Sequence, residues 1–141
     1  MTPIDVFISH ATGDDAEVTR IAEALAAANL TVWVDHLGGL GPGIRDWRGG
    51  IQDALDACKA GILVLTPGSA KRNEVNLECE YLLNTRKDLP FFLLMLEPVE
   101  KKPYYLTRLN HTDLTKDWQT GMAAVAQTTG KRLGRRWKSA R

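Results

Sequence analysis

The chain has 141 residues, the length of a single domain and enough to bury a core. Hydrophobic residues make up 44% and charged residues 25%, which excludes a disordered or fibrous chain, and no apolar run is long enough to cross a bilayer. The formal charge of +1 hides an asymmetry: the last eleven residues hold six basic side chains and no acid, which leaves a balance of −5 on the first 130.

Those six (Lys131, Arg132, Arg135, Arg136, Lys138 and Arg141) sit at one end of the chain. They read as a basic tail or the start of a linker over 131–141, with one domain over 1–130. A nucleic-acid grip would spread its basic patch over a folded face. The N-terminal Met1-Thr2-Pro3-Ile4-Asp5 has no basic stretch followed by an apolar one, so no signal peptide is expected. Cys58 and Cys79 both fall in amphipathic segments and read as buried free thiols of a reducing compartment. The expectation is a soluble, cytoplasmic domain.

In chain order, Asp5-Val6-Phe7-Ile8-Ser9 is a β-rich run. From Ala16 to Asn29, Val18, Ile21, Ala22, Leu25 and Ala28 recur at helical spacing, with Asp14 or Asp15 as the cap and Asn29 as the stop. Thr31-Val32-Trp33-Val34-Asp35 is a second strand. A loop with four glycines (Gly38, Gly39, Gly41 and Gly43) and Pro42 follows it. Asp46 to Lys59 predicts a second helix with Trp47, Ile51, Leu55 and Cys58 on one face. Ile62-Leu63-Val64-Leu65 has the pattern of a strand covered on both faces.

Thr66-Pro67-Gly68-Ser69 breaks that strand, and Asn73 to Leu83 predicts a third helix. Phe91 to Leu96 is another apolar strand, a short edge strand is expected near Asn110 to Leu114, and Gly121 to Thr128 predicts a last helix. Alternating strands and helices with apolar central strands argue for a doubly wound parallel sheet. In such sheets ligands bind beyond the carboxyl ends of the strands. Those ends are Ser9-His10-Ala11, Asp35-His36 and Thr66 to Ser69.

Several chemistries find no support. The glycine loop lacks both phosphate-binding fingerprints and follows the second strand rather than the first. His10, His36 and His111 have no Cys or carboxylate at zinc spacing, so no metal site is expected. Ser9 and His10 are neighbours on a strand, so their side chains point apart, and no G-x-S-x-G elbow exists.

The third helix holds three glutamates. At about 100° per residue from Val75, Cys79 falls at about 40°, Leu82 at about −20° and Leu83 at about 80°, which defines the buried face. Glu78, at about −60°, lies at the edge of that face, while Glu74 and Glu80 lie further out. Glu78 is therefore the glutamate expected to be half-buried beside the sheet end, where a carboxylate's charge serves chemistry. On geometry alone, a salt bridge to Lys71 or Arg72 is an equal reading.

These residues resemble the Toll/interleukin-1 receptor (TIR) domain family, closest to its bacterial NAD-cleaving branch, over roughly Ile4 to Gln127. Asp5 to His10 resembles the first box. Val32 to Asp35 followed by Gly41-Pro42-Gly43-Ile44-Arg45-Asp46-Trp47 resembles the second strand and the BB loop, and Ile62 to Ser69 resembles the third strand with its Ser/Thr-Pro step. Glu74-Val75-Asn76-Leu77-Glu78 resembles the W-V-x-x-E pattern. The resemblance implies a flavodoxin-like, mostly parallel five-stranded α/β sheet with helices on both faces. It implies NAD⁺ as substrate with no cofactor, and Glu78 as catalytic residue.

It also implies His10, Ala11, Thr12, Trp33 and Gly41 around the substrate, although a core tryptophan is the commoner role for Trp33. Nicotinamide leaves as a neutral molecule, and a fixed anion stabilises the ribosyl cation that water or a nucleophile within the nucleotide captures. The family's BB loop joins domains, so homo-oligomerisation is implied, with a sensor domain or partner beyond this one. The chain departs from the family in having Glu74 in place of the tryptophan. It also has Ala11-Thr12 where active relatives carry arginines, a role that Lys71 or Arg72 could take over. Two functions follow: an NAD⁺ hydrolase or cyclase of bacterial antiviral immunity activated by self-assembly, and a non-catalytic TIR adaptor or virulence module.

Overall fold

The computed structural model describes residues 4–34, 50–101, 106, 109 and 111–133. In chain order the elements are β1 (Val6–Ser9), a 3₁₀ turn (Thr12–Asp14), α1 (Asp15–Ala27), β2 (Val32–Val34), α2 (Ile51–Ala57) and β3 (Ala60–Leu65). After these come α3 (Pro67–Lys71), α4 (Asn73–Thr85), β4 (Phe91–Met95), β5 (His111–Asp113) and α5 (Trp118–Arg132). Among the described residues the sheet has five strands in the order β2-β1-β3-β4-β5. Every pair is parallel, so the expected mostly parallel sheet is parallel throughout. No helix among the described residues is long and apolar enough to cross a membrane.

Strand alternation sorts the core into two layers. Val6, Ile8, Val32, Val34, Ile62, Val64 and Leu94 face α1 and α5, meeting Val18, Ile21, Leu25, Met122 and Val125. On the other face, Phe7 and Trp33 pack with Leu55, Cys58 and Leu82. Leu63, Leu65 and Leu93 pack there with Val75 and Cys79. α2 and α4 cover this second face. Asp5, fully buried, joins the starts of β1 and β2: its Oδ2 accepts from Thr31 N at 2.9 Å, and its own N–H donates to Thr31 Oγ1 at 2.9 Å.

α1 ends as its sequence predicts. Asn29 takes the left-handed conformation at φ 66°, which asparagine tolerates. Asn29 N then reaches Ala26 O and Leu30 N reaches Leu25 O, closing the last carbonyls of the helix. The other end differs from expectation. Asp14 occupies the N-cap position but makes no cap hydrogen bond; its Oδ2 instead accepts from Thr66 Oγ1 at 2.8 Å.

Three further elements depart from the sequence reading. α2 is described as Ile51–Ala57, with 46–49 outside the described residues. Its inner face is Ala54 and Leu55, while Ile51 is 38% exposed. The stretch after β3 is not a simple break, because Thr66 caps α3 by accepting from Ser69 N, with Pro67 opening the helix. α5 is longer than Gly121 to Thr128: Asp117 accepts from Thr120 N at 3.0 Å and starts the helix at Trp118, and buried Thr129 and Gly130 carry it on to Arg132.

Candidate functional site

The strand order places the reversal of winding between β1 and β3, since α1 crosses one face of the sheet and α2 and α4 the other. α4 is laid over that point by Val75, Cys79 and Leu82, which are 4%, 0% and 1% exposed. This is the face the helical wheel predicts. Gly61 permits the close approach, because a Cβ there would stand 2.9 Å from Leu82 Cδ1 and 2.9 Å from the Phe91 ring. One turn before Leu82, Glu78 is half-buried at the edge of the packed face.

At the carboxyl end of β1, Ser9 lies on the same face as Phe7 and donates its hydroxyl to Glu78 Oε1 at 2.6 Å. Sequence reasoning places Ser9 at a strand end where ligands bind and dismisses it as a nucleophile beside His10, but does not find this pairing. The signal that could have found it is parity: Ser9 shares a face with Phe7, under the helix that carries Glu78. Lys71 and Arg72, the other suggested partners, are both exposed.

The remaining expected residues fall around this pair to different degrees. His10 Nε2 lies 3.2 Å from Asp15 Oδ1, with the imidazole 4% exposed against the start of α1. Ala11 is buried and lies near Gly68, so the loop after β1 rests against the start of α3. Thr12 opens the 3₁₀ turn. Trp33 is a core residue: it is 2% exposed, stacked on Phe7 with ring centroids 5.0 Å apart at 10°, in register with Phe7 and so two residues nearer the amino ends than Ser9. Its indole Nε1 has no hydrogen-bond partner among the described residues. Gly41, with the rest of the glycine loop, lies outside the described residues.

Open concavities among the described residues lie away from Glu78. One of about 420 Å³ sits at the amino ends of β3 and β4, bordered by Lys59, Arg86 and Lys87. Another of about 330 Å³ lies on the α1–α5 side, where Arg20 stacks over the Trp118 ring at 3.8 Å. No group of three His, Cys, Asp or Glu side chains among the described residues converges as metal ligands would.

The arrangement supplies a half-buried carboxylate fixed to a central strand at the winding reversal, beside a loop that holds a histidine and an alanine. Such a carboxylate can stabilise a cation that develops above it.

A family model described as the TIR domain matches residues 6–127. No curated protein matches the chain. Among solved structures, it is similar to the TIR domain of the Toll-related receptor TRR-2 from Hydra magnipapillata, with TM-score 0.64 and 21% identity over 93% of this chain and 95% of that one. It is also similar to the TIR domains of the activated Roq1 resistosome that directly recognises the pathogen effector XopQ, with TM-score 0.60 and 12% identity over 92% of this chain and 99% of that one. With a match across nearly all of the folded elements and two fold neighbours of the same kind, the chain belongs to the TIR domain family.

Proposed function

We propose that this TIR domain cleaves the bond between nicotinamide and ribose in NAD⁺, with Glu78 as the catalytic carboxylate. The observation that carries the reading is the Ser9–Glu78 contact: the glutamate is half-buried at the winding reversal and linked to the sheet at 2.6 Å. Nicotinamide departs neutral and needs no general acid, while the ribose gains positive charge that an anion beneath it stabilises. Water then gives linear ADP-ribose, and a nucleophile within the nucleotide gives a cyclic isomer. No cofactor is needed. His10, Ala11, Thr12 and Gly41 border the substrate in this reading, and Trp33 supports the floor from within the core.

Activity depends on self-assembly through the BB loop, triggered by a sensor or partner, in the cytoplasm of a bacterium defending against viruses. One fold neighbour belongs to an activated resistosome, which supports carrying assembly over to this chain. The alternative, a non-catalytic adaptor acting by TIR–TIR contact, is favoured by one observation. Ala11 is buried and neutral at the position where active relatives carry an arginine.

NAD⁺ loss by the full chain at high concentration with a crowding agent separates the two. Wild type is expected to consume NAD⁺, and Glu78→Ala to lose at least about 100-fold of that rate. Equal, negligible loss in both proteins, with the assembled state verified by light scattering, overturns the enzymatic reading and leaves the adaptor.

A further inference from the structure

Ser9 is the last residue of β1, a strand paired on both sides, with β2 through Ile8 and with β3 through Ser9 itself opposite Leu63. Its side chain is 2% exposed. The 2.6 Å separation between Ser9 Oγ and Glu78 Oε1 is that of a close hydrogen bond in which the hydroxyl donates to the carboxyl oxygen. A hydroxyl so enclosed is out of reach of a ribose or an attacking water. It cannot act as nucleophile or as a proton donor to substrate, so any influence it has on the reaction passes through Glu78.

Glu78 itself is half-buried on the rim of α4, and a glutamate carboxylate sits at the end of three rotatable bonds, so each contact that fixes it helps to aim it. β1 is the more rigid partner, because its backbone is locked into the ladder on both edges. The geometry points to Ser9 as a positioning residue: its hydroxyl pins one oxygen of Glu78 to the sheet, and so sets the height and direction from which the carboxylate meets the ribose. The inference rests on the NAD⁺-cleaving reading given above. It extends that reading from the acid to the strand that aims it.

The test uses the full chain in its assembled state. Ser9→Ala is expected to lower kcat by roughly 10- to 100-fold while KM for NAD⁺ stays within about twofold, because the lost contact matters when charge develops rather than when substrate binds. Ser9→Thr keeps the hydroxyl on a strand-compatible side chain and restores most of the rate. The double variant Ser9→Ala with Glu78→Ala is expected to be no slower than Glu78→Ala alone. A spectroscopic signature accompanies these rates: the side-chain carboxyl ¹³C resonance of Glu78 moves in Ser9→Ala and returns in Ser9→Thr.

A fully active Ser9→Ala overturns the positioning role and leaves Glu78 catalytic, provided Glu78→Ala is dead. A double variant slower than Glu78→Ala overturns it too, since Ser9 would then act on something else. An unmoved carboxyl resonance overturns the tether whether or not turnover is seen. Absence of turnover in assembled wild type overturns both the cleavage reading and this one. Should Ser9→Ala fail to fold, Ser9→Cys, nearly isosteric but a weak donor, takes its place with the same expectations.

Discussion

Cys58 stands where α2 ends, and its thiol is held by two opposing influences. Burial disfavours the thiolate, while the Arg86 guanidinium, 3.6 Å from Sγ, favours it. Burial prevails and lifts the thiol to about 11 from an ordinary 9.0, so almost no thiolate exists at neutral pH. The same guanidinium donates to the carbonyls of Leu55 and Cys58, which ties it down as a cap on α2. Cys79 is also fully buried. Neither thiol is therefore expected to react with iodoacetamide in the native protein, and both should react once urea unfolds it. Mass spectrometry of the modified chain checks this, and rapid native labelling would contradict it. Both burials were legible in the sequence, because helical periodicity reports which way a side chain faces. The link between Ser9 and Glu78 was not, because it joins residues 69 positions apart and depends on how closely a helix sits on a sheet. The burial of Asp5 is a similar case: its acid is visible in the sequence, but its partner Thr31 emerges only when two strand starts are paired.

At the scale of elements, the seating of α4 on β3 and β4 decides where the candidate carboxylate stands. Gly61 is the contact point, and a methyl there would meet Leu82 and the Phe91 ring at 2.9 Å. Gly61→Ala is expected to cost about 1–3 kcal/mol by overpacking, read as a lower urea midpoint. The same shift would displace Glu78, one turn from Leu82, so any NAD⁺ turnover should fall by more than the lost stability explains. On its outer side α4 is joined to α2 by the Tyr81 hydroxyl, which donates to Asp56. That bond holds the Asp56 carboxyl below its usual value and raises the Tyr81 phenol. The existence and order of strands and long helices followed from periodicity. α3 did not, because Thr66-Pro67 reads as a stop in the sequence, yet the same pair also opens a helix: threonine accepts from the backbone of Ser69, and proline fits the first helical position. Ile51, expected on the inner face of α2, is exposed instead. The described helix is only seven residues long, and so short a stretch carries too little periodicity to fix its phase.

Across the whole molecule, surface carboxylates make stability depend on acid. Asp113 accepts from the hydroxyl and N–H of Thr115, Asp117 from the N–H and hydroxyl of Thr120, and Asp56 from Tyr81. All three titrate below the ordinary 3.8 for these reasons. Each binds a proton less readily when folded, so the stability it lends is present above the unfolded value and is lost as pH falls through the lowered one. The urea midpoint is expected to decline between about pH 5 and about pH 2, and Asp117→Ala should lower the neutral midpoint while making that decline shallower. A midpoint independent of acid over that range would refute the assignment. The alternation of strands and helices implied parallel winding, whereas the order of the strands in the sheet is a tertiary fact that pattern alone does not contain. That order puts β5 on the outer margin, three residues long, with His111, Thr112 and Asp113 as its side chains. So brief and polar a border offers a foreign β-segment little to zip onto. Crowded copies of this chain are thereby steered away from fibrous cross-strand growth on that side, and any ordered array they build there must be knitted by side-chain surfaces.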